Sequence, residues 1–185
     1  MVTILFKDDV IKQKKLIHDT ILNGGIIIYP TDTLYGIGGR ADNDEVVEKV
    51  YEIKNRDKDK PLSVIVPNFN YLFNNFNITQ ENQKNIRNKL PGAYSFIVEC
   101  NNESNLLSKK LNLSNNTLSI RICNHYIQDI VFSLGVPIIS TSANFSGEKS
   151  PATFNDISAE MIKKVDIIII DDTGVLGSRN KIIES

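Results

Sequence analysis

Ile26-Ile27-Ile28-Tyr29-Pro30-Thr31-Asp32-Thr33-Leu34-Tyr35-Gly36-Ile37-Gly38-Gly39 is the stretch on which the fold turns. Its first four residues, three isoleucines and a tyrosine, form an apolar run with no polar alternation, which suits a buried strand. Pro30 stops that strand, because proline has no N–H to give to a ladder. Upstream, residues 8–23 predict a helix. Val10, Leu16, Ile17 and Ile21 lean to one face, and Gly24 follows as a natural C-terminal cap. Downstream, a second helix is predicted to begin near Asp42, where Asp42 and Glu45 have capping-box spacing. It carries Val46, Val47, Val50, Tyr51 and Ile53 as a stripe of helical period. A buried strand between two amphipathic helices is the pattern of an α/β sheet covered by helices.

The pattern continues along the chain. Strands are predicted at residues 2–6, 62–66 (stopped by Pro67), 94–100, 118–122, 136–140 and 166–170. Helices are predicted from Thr79 to just before Pro91-Gly92, over 127–134 with Gly135 as cap, and over 156–164. Strands not separated by a helix should pair antiparallel, so the sheet is expected to be mixed. The Asn-rich segments 68–77 and 101–116 read as surface connectors, and no internal repeat is visible. A length of 185 residues suits one domain spanning 1–185.

Composition sets outer limits. With 41% hydrophobic and 23% charged residues the chain reads as an ordinary globular protein. A formal net charge of -1 gives no global attraction to nucleic acid, although a local basic face is compatible with it. Cys100 and Cys123 cannot supply a disulfide framework or a four-ligand zinc site and are expected as small buried hydrophobes. His18 and His125 form no metal-binding pair, so no protein-held metal is expected. The N-terminus brings charges too close behind a short apolar run for a signal peptide. No apolar stretch approaches the ~20 residues of a membrane span, so a cytoplasmic location with no membrane contact is expected.

Four segments carry candidate chemistry. In the opening stretch, the hydroxyls of Thr31, Thr33 and Tyr35 suit a small polar ligand; a tight turn whose threonines satisfy local backbone groups is the alternative. Gly36-x-Gly38-x-x-Ala41 fits a dinucleotide fingerprint only superficially, since the glycines begin several residues after the strand, and no Walker A sequence occurs. The run Lys54-Asn55-Arg56-Asp57-Lys58-Asp59-Lys60-Pro61-Leu62 can face phosphates or be a solvated charged surface. In Thr117-Leu118-Ser119-Ile120-Arg121-Ile122, Arg121 should point away from Ile120 and Ile122. It then needs an internal acid, a carboxylate ligand or a phosphate. Ser140-Thr141-Ser142-Ala143-Asn144-Phe145-Ser146-Gly147, followed by Ser150-Pro151, delivers a dense set of neutral donors and acceptors from a strand end. That set suits a polyphosphate, ribose or amino-acid zwitterion.

Taken in order, YPTDTxYGxG from Tyr29, KxRxxxKPL from Lys54, Pro91-Gly92 with a following hydroxyl, xxRI ending at Ile122, and STSANxSG from Ser140 resemble the YrdC family of threonylcarbamoyl-adenylate synthases. The match runs from the strand before Tyr29 to about Asn180, and its specificity lies in the ordered set. The resemblance implies an open twisted mixed α/β sheet with helices packed on it and a concave basic cleft. It implies a nucleotidyltransferase that converts L-threonine, bicarbonate and ATP to threonylcarbamoyl-AMP and pyrophosphate, with magnesium accompanying ATP. The product would pass to a tRNA threonylcarbamoyl-transfer complex. Carried onto this sequence, the family's threonine positions are Thr33, Arg121 and Ser140, with Asn180 by spacing. Its ATP positions are Lys54, Arg56, Lys60, Thr117, Ser142, Asn144 and Ser150. No covalent nucleophile is implied, and catalysis would come from positioning and charge stabilisation.

The chain departs from the family pattern at four places. Asp57 stands where proline is usual, Ile65 where many relatives carry histidine, and Ser95 where threonine is commoner. Near the C-terminus a serine motif is expected, and Ser178 or Asn180 can fill that role. The resemblance is to the short bacterial form, without a further C-terminal domain. Two other readings remain. One is a non-catalytic RNA-binding module using the same basic cleft. The other is a carbamoyl-transfer role like that of related domains in larger hydrogenase-maturation proteins.

Overall fold

The computed structural model describes residues 1–100, 106–111 and 116–184. The isoleucine run forms strand β2 (Ile27–Tyr29), and its side chains divide as a doubly covered strand requires: Ile26 and Ile28 enter one hydrophobic cluster, Ile27 and Tyr29 the other. β2 lies in a five-stranded sheet with β1 (Thr3–Phe6), β3 (Gly36–Gly38), β9 (Thr141–Ser142) and β10 (Ile167–Ile170), in the order β1-β10-β2-β3-β9. β1, β10 and β2 are parallel; β3 is antiparallel to both of its neighbours.

A second sheet runs in the order β11-β6-β7-β4-β8. It consists of β4 (Val64–Ile65), β6 (Tyr94–Cys100), β7 (Thr117–Arg121), β8 (Ile138–Ile139) and β11 (Lys181–Glu184), with β5 (Phe76–Asn77) pairing β6. β6 and β7, which no helix separates, are antiparallel as expected, whereas β4–β7 and β11–β6 are parallel. The sheets are joined where β8 runs into β9. Ile139 N–H donates to Gly39 O at 2.8 Å, Ser140 N–H to Ser63 O at 2.7 Å, and Arg40 bridges Ile138. Gly38 permits this approach: a Cβ there would lie 1.9 Å from the Ile139 carbonyl oxygen.

Helices cover both faces. α1 (Lys14–Leu22) and α5 (Ile127–Leu134) pack Ile17, Ile21, Ile127, Ile130 and Val131 into one cluster. α2 (Asp44–Lys54) packs Val46, Val47, Val50, Tyr51 and Ile53 into the other. The remaining helices are α3 (Phe69–Asn75), α4 (Gln80–Lys89), begun by a Thr79 side-chain cap, and α6 (Ala159–Ile162).

Several boundaries differ from the sequence expectation. The helix predicted over 8–23 is a 3-10 turn (Lys7–Asp9) followed by α1. Asp9 takes the Phe6 N–H at 3.0 Å, and Leu16 stays exposed. α2 is capped by Asn43, whose side chain accepts from Glu45 and Val46 N–H, because Asp42 is drawn into a 2.7 Å ion pair with Arg40. The predicted helix 156–164 is a 3-10 turn (Phe154–Asp156) and the short α6. Segment 68–77 is not a connector but α3 and β5, capped by Asn68 and anchored by buried Leu72. The strands β3, β9 and β11 lie outside the stretches that the sequence marks as strands. Of the predicted connector 101–116, residues 101–105 and 112–115 lie outside the described residues; within it a 3-10 turn spans Lys109–Leu111.

Cys100 and Cys123 are buried, and burial pushes their thiols up to about 11 and about 12, so both act as apolar fillers. Among the described residues no helix is long and apolar enough to cross a membrane.

Candidate functional site

The two sheets enclose a cavity of about 440 Å³ where β3, β9 and the turn after β2 face the second sheet. Its floor follows from strand parity. Arg121 and Ser119 project from the same face of β7, and β4 runs beside β7 with Ile65 opposite Arg121. Ser119, Ser63, Ser95 and Ser140 line the same cavity, so Arg121 shares it with several hydroxyl groups.

Arg121 is 3% exposed. Its Nη2 donates to Asp32, its Nη1 donates to Thr33 Oγ1 at 3.0 Å, and Nε is buried with no partner in the protein. The second Asp32 oxygen accepts from Asn124 N–H at 3.2 Å, so the acid that aims Arg121 is itself held in place. Internal salt bridge and ligand cation are thus compatible: Asp32 fixes the guanidinium while part of it still faces the cavity.

The turn after β2 divides its threonines between two tasks. Thr31 Oγ1 donates to Leu34 O at 2.7 Å and accepts from the N–H groups of Thr33 and Leu34, locking the turn. Thr33 is left facing Arg121 and the cavity. Tyr35, also buried, donates to Asp172 at 2.8 Å and accepts from Asp171 N–H at 2.9 Å, tying this turn to the chain beyond β10.

Another part of the lining is built on the end of α2. Lys54 is 2% exposed, and its ammonium donates to the carbonyl oxygens of Ser142 and Asn144. Its own carbonyl accepts from Ser146 N–H at 2.9 Å, so one residue clamps the 142–146 loop from two directions. Burial, helped by the nearby Arg56 charge, pushes Lys54 down to about 7. The Asn144 amide donates to the carbonyls of Phe145 and Glu148, each at 2.9 Å. The buried Asn144 Oδ1 and Ser150 Oγ have no partner in the protein. Such orphaned polar atoms along one cavity are what a polar ligand would satisfy.

Most residues proposed from the sequence come together here. Thr33, Arg121, Ser140, Asn180, Lys54, Arg56, Ser142, Asn144 and Ser150 all line the cavity. Lys60 and Thr117 are not among the lining residues. Lys60 reaches back 2.7 Å to Asp57, both exposed, so the acid that replaces the usual proline occupies this lysine. Thr117 lies at the far end of β7 opposite Glu99, and Ser119, two residues on, lies at the cavity instead. Ile65 is fully buried in the core. Asn180 donates to Ser95 Oγ at 2.9 Å, which brings two of the departures into contact; its Oδ1 is buried without a protein partner. Sequence reading did not single out Ser63, Ser119, Glu148 or Arg179 as lining residues. Strand parity with Arg121 was the available signal for Ser119, while Arg179 had none, because the segment that carries it has no periodic pattern.

The arrangement defines a class: an α/β protein with an open cavity between two sheets, lined by four basic side chains, Glu148 and otherwise mainly hydroxyl and amide groups. Comparison with known proteins makes this particular. A family profile for Sua5, YciO and YrdC proteins, described as telomere recombination, matches residues 19–184, and the chain belongs to that family. It is 37% identical over 163 residues to a Methanocaldococcus jannaschii protein named "Putative threonylcarbamoyl-AMP synthase", covering 85% of this chain and 73% of the relative. Pyrococcus abyssi Sua5, in a crystal structure with L-threonine, superposes with a TM-score of 0.88 at 22% identity; all of this chain is covered but only 54% of the Sua5 chain. Escherichia coli YciO gives a TM-score of 0.82 at 19% identity, covering 100% and 91%. These two likenesses establish the shared open mixed-sheet fold.

Proposed function

We propose that this protein is an L-threonylcarbamoyladenylate synthase. The observation that carries the proposal is the presence of two buried cations in the lining of one cavity, Arg121 beside Thr33 and Lys54 beside the Ser142–Asn144 backbone. A family relative of 37% identity that bears the synthase name supports it.

In this reading the threonine carboxylate lies against Arg121, with Thr33, Ser140 and Asn180 around the rest of the molecule. The amine, deprotonated, takes up carbon dioxide derived from bicarbonate and becomes a carbamate, with water as the by-product. A carbamate oxygen then attacks the α-phosphorus of ATP. The new P–O bond forms as the bond to the β-phosphate oxygen breaks, and pyrophosphate leaves. The protein contributes placement and charge: the Lys54 and Arg56 side offsets charge on the phosphates, while Asn144 Oδ1 and Ser150 Oγ gain the partners they lack.

Glu148 is the only carboxylate among the lining residues, and no cluster of three metal-ligating side chains occurs among the described residues. That donor set fits magnesium carried by ATP phosphates and water, where the ion would offset phosphate charge. Handing the adenylate to a tRNA-modifying complex completes the proposal.

The test is pyrophosphate release by the purified protein with ATP, magnesium and bicarbonate, with and without L-threonine. Release should require both threonine and bicarbonate, and Arg121→Ala should raise the threonine requirement by about tenfold or more. Folded protein that releases no pyrophosphate under these conditions would overturn the assignment.

A further inference from the structure

Four basic residues line the cavity, and three are already engaged within the chain. Lys54 donates to two carbonyls, and Arg121 is bound by Asp32 and Thr33. Arg56 directs Nε to Lys60 O at 3.3 Å and Nη2 to Pro61 O at 3.0 Å. The fourth is Arg179, for which no hydrogen bond or ion pair is found among the described residues.

Its backbone, by contrast, is held on both sides. Leu176 N–H donates to Asp32 O at 3.2 Å and Gly177 N–H to Thr33 O at 2.9 Å. Just beyond it, Asn180 bonds Ser95 and Lys181 N–H donates to Ala93 O at 3.1 Å. Residues 176–181 therefore form a strap across the cavity, from the turn after β2 to the edge of β6. A Cβ on Gly177 would lie 3.5 Å from the Ala152 methyl, so the strap also passes beside the loop that carries Ser150. A fixed backbone presenting a free guanidinium at a cavity rim is pre-organised for an anion, and the guanidinium fork matches phosphate oxygens.

Depth selects the anion. Arg121 and Lys54 are 3% and 2% exposed, at the bottom, where the threonine carboxylate and the reacting α-phosphate belong. Arg179 is exposed, at the mouth, where the rest of the triphosphate must extend. We infer that Arg179 is the arm that binds the β- and γ-phosphates of ATP, and the pyrophosphate they become, at the rim of this cavity. The inference rests on the reading of the cavity as an ATP site.

Calorimetry on the full chain with magnesium tests it. Wild type, Arg179→Ala and Arg179→Lys are titrated with ATP, AMP, inorganic pyrophosphate and L-threonine, with thermal melting as the folding control. Arg179→Ala should weaken ATP and pyrophosphate about tenfold while changing AMP and threonine less than about twofold. Arg179→Lys should recover part of the loss, since charge returns without the planar fork. Unchanged ATP affinity in Arg179→Ala overturns the inference alone. So does an equal loss for ATP and AMP, or a loss confined to threonine, each of which would place the side chain elsewhere. A wild type that binds neither ATP nor pyrophosphate overturns the ATP reading as well.

Discussion

Lys54 carries an ammonium into a site where only carbonyl oxygens meet it, and that choice has a measurable consequence. With its pKa pushed down to about 7, the free protein holds Lys54 charged below that pH and increasingly neutral above it. The unfolded chain keeps the proton up to 10.5, so it binds more protons than the folded state between these values; stability without ligand should rise as pH rises through that window. A bound polyphosphate favours the ammonium and raises the pKa again. ATP binding above pH 7 should therefore take up close to one proton, and affinity should fall with rising pH by at most about tenfold per unit. Calorimetry in buffers of different ionisation enthalpy reads this directly. Absence of proton uptake in wild type, or an equally steep dependence in Lys54→Arg, would exclude Lys54 as the source.

At the scale of elements, the joint between β3 and β8 is the least forgiving part of the molecule. The Gly38→Ala methyl would fall onto the Ile139 carbonyl, and neither backbone can retreat without breaking the β2–β3 or β4–β8 ladder. The variant should lose about 2 kcal/mol or more of stability, read as a lower denaturant midpoint at constant m-value. The same joint shows why β3 was hard to read in the sequence. Gly36-Ile37-Gly38 looks like a loop by propensity, yet Gly38 is demanded by Ile139, a neighbour far away along the chain. α3 was hidden for a related reason, since an asparagine-rich segment becomes helical through the Asn68 cap and the burial of Leu72. α2, α5 and β6 were legible because their apolar residues repeat at the period of the element they form, and β2 and β10 because each is a short unbroken apolar run. Among the residues that line the cavity, those in dense motifs stand out in the sequence. The destination of Lys60 could not, because Asp57 lies three residues away and the geometry of that turn decides whether they meet.

For the molecule as a whole, the charge is close to neutral, -1 in total, with 21 lysines and arginines balanced by 22 acids and only four of those cations lining the cavity. Nucleic acid rewards an extended basic surface through counterion release, so free tRNA should bind more weakly than the roughly 10⁻⁴ M end of ordinary non-specific affinity at physiological salt. Filter binding across a salt series checks this. Tight, steeply salt-dependent binding without ATP turnover would restore the RNA-binding reading.

The arrangement of two sheets joined near Ser140 also governs something no single side chain controls. Arg121 stands on one sheet, while Ser142 and Asn144, which receive Lys54, leave from the end of the other. The span between nucleophile and phosphorus is thus a dimension of the backbone frame, set by how the β8-to-β9 crossover seats on Gly38 and Gly39. Side-chain changes in the cavity would retune the grip on each substrate separately, whereas a change at that crossover would alter the reach from one to the other.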